Sequence, residues 1–564
     1  MLSILAVIAL ILPYFARPFA FDLDPDTGLL VMHMMRLVDG AWNISVDPNL
    51  AYQNPFVLLL IDFHGMIRQL VFFPLMAAMD AVGVRLTPHS VGALFVSVGI
   101  ALTILNYYFL RTLLPRRIAG WAVILLAVMP FYAAQLKGGW WHVFVYPLAL
   151  LALFGMHRWV REGWRPGRAL LWCAIAALLL TDTGFIFSYF LIALYALVLL
   201  RESHDSLRAV VGGAWRLVRS WWIVAPLSVG VGSLAVTLLG RIKFDAPWGV
   251  MARFFEKGAY LGVDGFGVLP HFLVQGMGLT GWVLFPLMVV ACGWWLYRMA
   301  RRRYAAPFVQ ASAWFFVITV VLLLIAHGPG GAVYVLYLPG AVLVTAFIAA
   351  IRPRFLAGAV FALVVFVTYG QTLMYLTERP PPPWLTRSYT FLRPNEPCRA
   401  LWCPWHFTKP RNLGMTTAAF VMRDYLDIQP IPFVSIRENF AVRPKEIFFY
   451  TEYGQGPSVT IGRRIAYRIE DLENPKLILL LTDAARAQAP DAMVEAENKK
   501  VFAFLAVHPE YKHVATVTMS GAEMIKIFER NSARELRAFS VEEYDAQFWQ
   551  RYGTLRDLGH IDLG

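Results

Sequence analysis

The chain has 564 residues, of which 58% are hydrophobic and 15% charged, and it carries a formal net charge of +13. A soluble protein of this size carries about 25% charged residues, so a single water-soluble globule is excluded. The positive charge would suit nucleic acid, but its placement argues against that, because the arginines stand in short groups between apolar stretches: Arg111, Arg116 and Arg117, then Arg158, Arg161, Arg165 and Arg168. Arg201, Arg208, Arg216 and Arg219 follow, then Arg298, Arg301, Arg302 and Arg303, then Arg352 and Arg354. That spacing sets the orientation of a membrane protein rather than selecting a ligand.

From residue 1 to 376 the apolar stretches run about 17 to 23 residues, the length that crosses a hydrocarbon layer of roughly 30 Å. The first, 2–16, lacks a basic leading segment and a small-x-small cleavage site, so it reads as a span rather than a leader. An external segment, 17–87, follows. Its second half, Phe56 to Val82, is interrupted by Asp62, His64, Arg68 and Gln69, which favours a helix lying on the membrane surface. Later spans are expected at 88–110, 118–136, 140–157, 169–182, 184–200, 221–239, 278–298, 308–326, 330–350 and 355–376. With the arginine groups in the cytosol, the total of eleven places the amino end inside and the carboxyl end outside a cell membrane. A second external loop, 240–277, separates the seventh and eighth spans, and Asp182-Thr183-Gly184 turns a tight hairpin.

The run Arg379-Pro380-Pro381-Pro382-Pro383-Trp384 is a stiff spacer inside a linker at 377–397. Beyond it, 398–564 has ordinary globular composition. Strands are expected at Glu446–Tyr450, Leu477–Leu481, Val514–Met519 and Met524–Phe528, with helices at Asp491–Leu505 and Val541–Trp549. The fold expected is a polytopic α-helical membrane protein of about eleven transmembrane helices with a C-terminal soluble, extracytoplasmic mixed α/β domain. Of the four cysteines, Cys173 and Cys292 fall within spans and read as small apolar core residues. Cys398 and Cys403 lie in the external region, where a disulfide suits an oxidising compartment and two unlinked thiols are the alternative.

Chemistry is most concentrated directly after the first span, in Phe21-Asp22-Leu23-Asp24-Pro25-Asp26-Thr27-Gly28. Carboxylates beside a membrane are costly unless they open on water or a site, which makes Asp24 and Asp26, with Asp22, candidate catalytic groups. Asp24-Pro25 also reads as an ordinary helix start, with Asp26 favouring the dipole. His64 and Arg68 share one helical face and suit lipid phosphate, snorkelling or a pair with Asp62. Lys137 and His142 flank Trp140 and Trp141 at an external span end, where the tryptophans suit the interface and the cations suit an anionic headgroup. In the second external loop, Arg253 and Lys257 share a face beside Phe254, Phe255 and Tyr260, with Arg241 and Lys243 nearby. Basic charge on the external side runs against the positive-inside trend and suits a phosphate clamp. His327 is a further external-end histidine before Gly328. No zinc-ligand spacing is present. Oxygen ligands at the aspartates would accept Mg²⁺ or Mn²⁺, though three acids have no clear fourth ligand.

The order of these features resembles the C-type glycosyltransferase superfamily, in particular its protein mannosyltransferase and aminoarabinose transferase branch. The resemblance rests on Asp22 to Gly28, Asn54-Pro55, Val84-Arg85-Leu86, Tyr107 to Arg111, Leu125 to Pro130, Leu178 to Gly184 and Tyr334 to Pro339. It covers residues 1–376. Departures are Asp182 at the hairpin where a lysine is usual, no acidic residue at Gly138–His142, and Gly330-Gly331 where an arginine often stands. The resemblance implies an inverting-type transfer of a sugar from a polyprenyl-phosphate donor to a glycan, lipid or protein acceptor at the external face. Asp24 or Asp26 would be the general base. Two other classes fit a helical membrane protein: a transporter or flippase, and a non-catalytic scaffold for envelope polysaccharide assembly. The first predicts ionisable groups in mid-span, whereas nearly all charges here lie at span ends.

Overall fold

The computed structural model describes residues 2–15, 66–86, 88–138, 142–181, 186–203, 212–213, 215, 281–301, 306–325 and 336–376, and in the carboxyl-terminal region 417–418, 421–422, 424–427, 431–432, 440–441, 447–449, 458–461, 463–466, 477–481, 502–519 and 521–544. The chain divides into two compact units. The first comprises Met1–Arg17, Ala51–Phe72 and Gly92–Pro381, and the second Pro18–Leu50, Phe73–Val91 and Pro382–Gly564.

The described helices are α1 (Leu2–Ile11, extended by a 3₁₀ turn Leu12–Phe15), α2 (Met66–Ala81), α3 (Pro88–Leu113), α4 (Arg116–Val128), α5 (Pro130–Gly138) and α6 (His142–Glu162). After them come α7 (Arg165–Thr181), α8 (Ile186–Ser203), α9 (Gly281–Ala300), α10 (Pro307–Ile325), α11 (Tyr337–Ala349) and α12 (Arg354–Leu376). Four contain stretches long and apolar enough to cross a membrane: Ser90–Leu113, Val143–Glu162, Val283–Ala300 and Arg354–Leu373. The expected span at 221–239 and the proposed pair Cys398 and Cys403 lie outside the described residues.

The distribution of polarity identifies the solvent. On α12, Phe366 is 75% exposed, while Thr368, Gln371 and Thr372 on the opposite side are buried. On α3, Leu105 and Tyr108 are exposed while Thr103 and Asn106 are fully buried. Apolar residues outside and polar residues inside reverse the pattern of a soluble protein, and match helices that face lipid and bond to one another within. Cys173 follows the same rule and corrects its expected place in the core. Leu171, Trp172, Ala174 and Ile175 carry the buried face of α7, and Cys173 is exposed. Cys292 is buried, its thiol 3.5 Å from the Ala313 carbonyl on α10.

The stretch expected as one span, 118–136, is two helices. Pro130 has no N–H to continue α4 and pushes the preceding residue toward extended backbone. Met129 accordingly adopts φ −67° and ψ 128°, and α5 begins at Pro130 in the position where proline starts a helix well.

Three helices run side by side in the same direction at one corner of this unit. At one end Arg117 on α4 donates to the Arg354 carbonyl at the start of α12. In the middle Trp121 stacks on Phe361, and toward the other end Thr372 reaches Val128. Helix α1 lies along both, with Tyr369 donating to the Leu10 carbonyl and Tyr14 to that of Ala127. The hairpin of α6 and α7 brings two backbones close together. A Cβ placed on Gly155 would meet the Gly167 carbonyl oxygen at 2.6 Å and the Leu171 nitrogen at 2.9 Å. Gly163, at φ 66°, closes α6 with its N–H on the Trp159 carbonyl at 3.1 Å.

The second unit holds two short antiparallel pairs, β1 (Ile431–Pro432) with β2 (Phe440–Ala441) and β4 (Ser458–Ile461) with β5 (Arg463–Ala466), and a mixed five-stranded sheet in the order β3-β6-β8-β7-β9: β3 Ile447–Phe449, β6 Leu477–Leu481, β7 Tyr511–Met519, β8 Ala522–Arg530 and β9 Arg537–Ser540. The pairs β3–β6 and β7–β9 are parallel, and β6–β8 and β7–β8 antiparallel. Gly521, at φ 77°, turns the β7–β8 hairpin. Alternate residues feed two cores. Leu477, Leu479, Val517, Ile525 and Ile527 meet Ala418, Val421, Met422 and Leu426 on one face, and Ile478, Leu480 and Tyr511 meet Phe504 and Leu505 on the other. Of the expected helices, 502–507 and 541–544 are helical, and 491–501 and 545–549 lie outside the described residues.

Candidate functional site

The break between α4 and α5 organises a polar cluster inside the first unit. Stopping a helix leaves the last carbonyls without intrahelical donors, and in lipid each must find a partner inside the protein. Side chains from two neighbouring helices supply them. Tyr14, just beyond α1, donates its hydroxyl to the Ala127 carbonyl at 2.8 Å, and Thr372 on α12 donates to the Val128 carbonyl at 2.6 Å.

One turn into α5, the Tyr132 hydroxyl lies 2.9 Å from the Thr103 hydroxyl and accepts from the Asn106 amide at 3.5 Å. Thr103 also donates to the Gly99 carbonyl at 2.7 Å, so in the Thr103–Tyr132 contact the tyrosine is the donor when Thr103 turns back on its own helix. Gln135 is placed a further turn along α5. Tyr14, Tyr132, Asn106, Gln135 and Thr372 are all buried, and among the described residues the amide oxygens of Asn106 and Gln135 have no donor. A buried acceptor without a donor is costly. This cluster therefore has the chemistry to accept hydrogen bonds from a hydroxylated group. Among the described residues it holds no carboxylate or imidazole, so these side chains can orient such a group.

A second polar cluster sits at the opposite, arginine-rich end. The His157 Nδ1 on α6 lies 2.7 Å from the Tyr195 hydroxyl on α8. Arg161 pairs with Glu202, whose other oxygen accepts from Gln310 at 2.9 Å. These bonds tie α6, α8 and α10 together and leave the carboxylate fully engaged.

The sequence-derived candidates divide unevenly. Asp22, Asp24, Asp26, His64, Arg253, Lys257 and His327 lie outside the described residues. Arg68 stands in the first turn of α2, Lys137 next to the last residue of α5 and His142 at the first residue of α6. Lys137 and His142 thus stand at adjoining helix ends, on the α5 side of the break. In sequence, the acidic run begins seven residues after Phe15. Among the described residues, no group of three or more His, Cys, Asp or Glu side chains could hold a metal. The oxygen donors of Asp22, Asp24 and Asp26 would suit Mg²⁺ or Mn²⁺ by chemistry alone.

The residues that the sequence reading missed are Tyr14, Thr103, Asn106, Tyr132, Gln135 and Thr372. A signal was there. Asn106 and Gln135 are amides inside otherwise apolar stretches, and such residues seldom face lipid.

The second unit holds further titratable groups. His513 stacks on Phe528, with Nε2 near the Thr516 hydroxyl at 2.9 Å and the Ala515 carbonyl at 3.1 Å. Burial, and then the Lys526 charge, hold its pKa below the usual 6.5. Glu510 is held below the usual carboxylate value, first by a backbone hydrogen bond and then by His508.

The arrangement of helices has a counterpart among solved structures. ArnT (aminoarabinose transferase) from Cupriavidus metallidurans, solved with undecaprenyl phosphate bound, superposes with a TM-score of 0.51 at 13% identity, over 93% of this chain and 97% of its own. The chain shares that fold. The same enzyme in the apo state gives a TM-score of 0.49 at 14% identity, with coverage of 93% and 97%. The oligosaccharyltransferase of Archaeoglobus fulgidus in complex with Zn and sulfate gives 0.42 at 15% identity, over 80% of this chain and 59% of its own. These structural neighbours are members of the GT-C glycosyltransferase superfamily. No protein-family model and no curated protein matches the sequence.

Proposed function

We propose that the chain is a membrane glycosyltransferase of the GT-C type, moving a sugar from a polyprenyl-phosphate donor to an acceptor on the extracytoplasmic side. The observation that carries the reading is the fold shared with ArnT over 93% of this chain and 97% of that one, because that transferase was solved with undecaprenyl phosphate bound. The motif order from Asp22 to Pro339 supports it. The buried hydroxyl and amide cluster at the helix break supports a hydroxylated ligand. Fold alone does not fix chemistry, so the assignment of roles rests on residue types.

In this reading 1–376 is the transferase region, 377–397 a linker and 398–564 an extracytoplasmic domain, with the amino end cytosolic. The acceptor hydroxyl attacks the anomeric carbon from the face opposite the donor phosphate. Asp24, with Asp26 and Asp22 beside it, takes the hydroxyl proton, the bond between sugar and phosphate oxygen breaks, and the polyprenyl phosphate departs. Configuration inverts. A positioned base typically contributes 10²–10⁴-fold. The cations assigned to offset the negative charge that develops on the leaving phosphate are Arg253 and Lys257, together with Lys137, His142, His64, Arg68 and His327. A divalent cation at the aspartates would polarise the same phosphate.

The test is lipid and glycan profiling of a deletion strain carrying wild type, Asp24→Ala or Asp26→Ala. The proposal expects one envelope glycan or lipid to lose a sugar in the deletion, to regain it with wild type, and to stay deficient with either variant. Identical profiles in all four strains would reject it.

A further inference from the structure

We propose that the arginine end of α9 binds the phosphate of an anionic phospholipid, through Nε of Arg298 and the indole Nε1 of Trp295.

Both donors are buried, and neither has an acceptor among the described residues. Trp295 is only 7% exposed, so its N–H is withdrawn from solvent. The Arg298 guanidinium carbon lies 5.4 Å from the Trp295 ring centroid and 4.9 Å from that of Trp294, which holds the two donors in one neighbourhood. Trp294 in turn packs edge-on against Phe347 of α11. One anion with several oxygens can serve both donors, and a guanidinium with an indole N–H suits a phosphate better than a lone carbonyl.

Charge balance points the same way. Residues 281–306 contain Arg298, Arg301, Arg302 and Arg303 and no acidic residue. Arg298 makes cation–π contacts but no ion pair among the described residues. Arg301, next along, lies over Tyr297 at 5.4 Å. The anion must come from outside the helix.

The outer surface of α9 selects a lipid over free phosphate. Val283, Val290 and Tyr297 repeat every seven residues and are all exposed, at 46%, 56% and 58%. At Gly293, between the last two, an added Cβ would meet nothing within 4 Å. An apolar, exposed strip therefore leads down the helix to the level of Arg298, as a bound acyl chain would require. The position is also distinct from the polar cluster at the helix break. Met288 lies against Gly340 and Trp294 against Phe347, so α9 and α11 run together, and α11 ends just before Arg354 begins α12. Arg298 thus stands at the Arg117–Arg354 end of the bundle, whereas Thr372 and Val128 stand at the other.

The experiment is native mass spectrometry of the full chain in detergent, titrated with phosphatidylglycerol, phosphatidylethanolamine or inorganic phosphate. Wild type is expected to retain phosphatidylglycerol in preference to phosphatidylethanolamine and to keep it in excess inorganic phosphate. Trp295→Phe keeps the ring and removes the N–H, and Arg298→Lys keeps the charge and removes Nε. Each should weaken phosphatidylglycerol binding roughly tenfold, as loss of a charge-assisted hydrogen bond does. Thermal unfolding of each variant confirms that it is folded, and if one is not, the other decides. Equal retention by wild type and the folded variant overturns the proposal. So does displacement of the lipid by inorganic phosphate, which would make this a site for free anions.

Discussion

Thr372 on α12 donates its hydroxyl to the carbonyl of Val128, the last residue of α4, at 2.6 Å. The bond repairs a fault that the sequence builds in. Pro130 ends α4 in the interior of an apolar bundle, and the freed carbonyls would otherwise face hydrocarbon. Tyr14 performs the same service for Ala127 at 2.8 Å. The kink is therefore held from two sides, by the segment that ends α1 and by α12.

Removing these donors should loosen the bundle measurably. Tyr14→Phe and Thr372→Val each keep their volume and orphan one carbonyl, at about 1 to 3 kcal/mol for a buried group and about 0.6 kcal/mol at the average for membrane proteins. Thermal unfolding in detergent is expected to fall for both. The double variant should lose less than the sum if the two carbonyls relax together.

The α6–α7 hairpin makes a steric prediction. At Gly155 an added methyl would overlap the backbone of Gly167 and Leu171, and backbone cannot step aside as a flexible side chain can. Gly155→Ala should cost about 1 to 3 kcal/mol, the range for overpacking a close contact. Gly293→Ala, where the added carbon meets nothing within 4 Å, should leave stability in detergent nearly unchanged. Paired unfolding curves check the difference.

In the second unit, Arg534 joins the segment at 425–426 to the sheet. It donates to the Leu426 carbonyl at 3.3 Å and to that of Tyr425, and it pairs with Glu529 at 3.4 Å. Glu529 is 7% exposed, so Arg534→Ala leaves a buried carboxylate with Ser532 as its remaining hydrogen-bond partner among the described residues. A loss of about 1 to 3 kcal/mol follows for the unsatisfied group. Limited proteolysis of the full chain should cut near residue 425 faster in the variant.

The same unit should weaken on acidification. His513 has a folded pKa below its unfolded 6.5, so the unfolded chain binds the proton first, and the stability present above pH 6.5 is lost as pH falls through that value toward the folded pKa. Glu510, also depressed, adds loss at lower pH, as pH drops below its usual 4.5 toward its folded value. Hydrogen exchange of the β7 and β8 amides should therefore be slower at pH 7.5 than the same amides show at about pH 5.5 after correction for intrinsic rates. His513→Gln should flatten the upper part of that difference.

Much of the helical frame was legible because lipid leaves a strong mark on sequence. The expected spans at 88–110, 278–298 and 355–376 correspond to α3, α9 and α12 within a few residues, since arginine groups and prolines bound them. The break at Met129 was not legible. Pro74, Pro147 and Pro286 sit inside continuous helices, so a proline alone does not say whether neighbouring side chains will satisfy a broken or a bent backbone. In the second unit the apolar strands at Leu477–Leu481 and within β7 and β8 stood out by pattern. The pair β4 (Ser458–Ile461) and β5 (Arg463–Ala466), and the edge strand β9, were missed because they are short and polar. The acids Asp22, Asp24 and Asp26 stand out in the sequence as residue types and lie outside the described residues. The cluster at the break was not legible, because Tyr14, Asn106, Tyr132 and Thr372 come from four separate segments that only packing brings together.

The central claim is tested most directly in proteoliposomes holding the full chain, a polyprenyl-phosphate sugar and a crude envelope acceptor fraction, with released polyprenyl phosphate followed by mass spectrometry. The account predicts release by wild type, and release slowed 10² to 10⁴-fold in Asp24→Asn or Asp26→Asn. Wild type that releases no carrier with any polyprenyl-phosphate sugar, or both asparagine variants matching wild type, would contradict it.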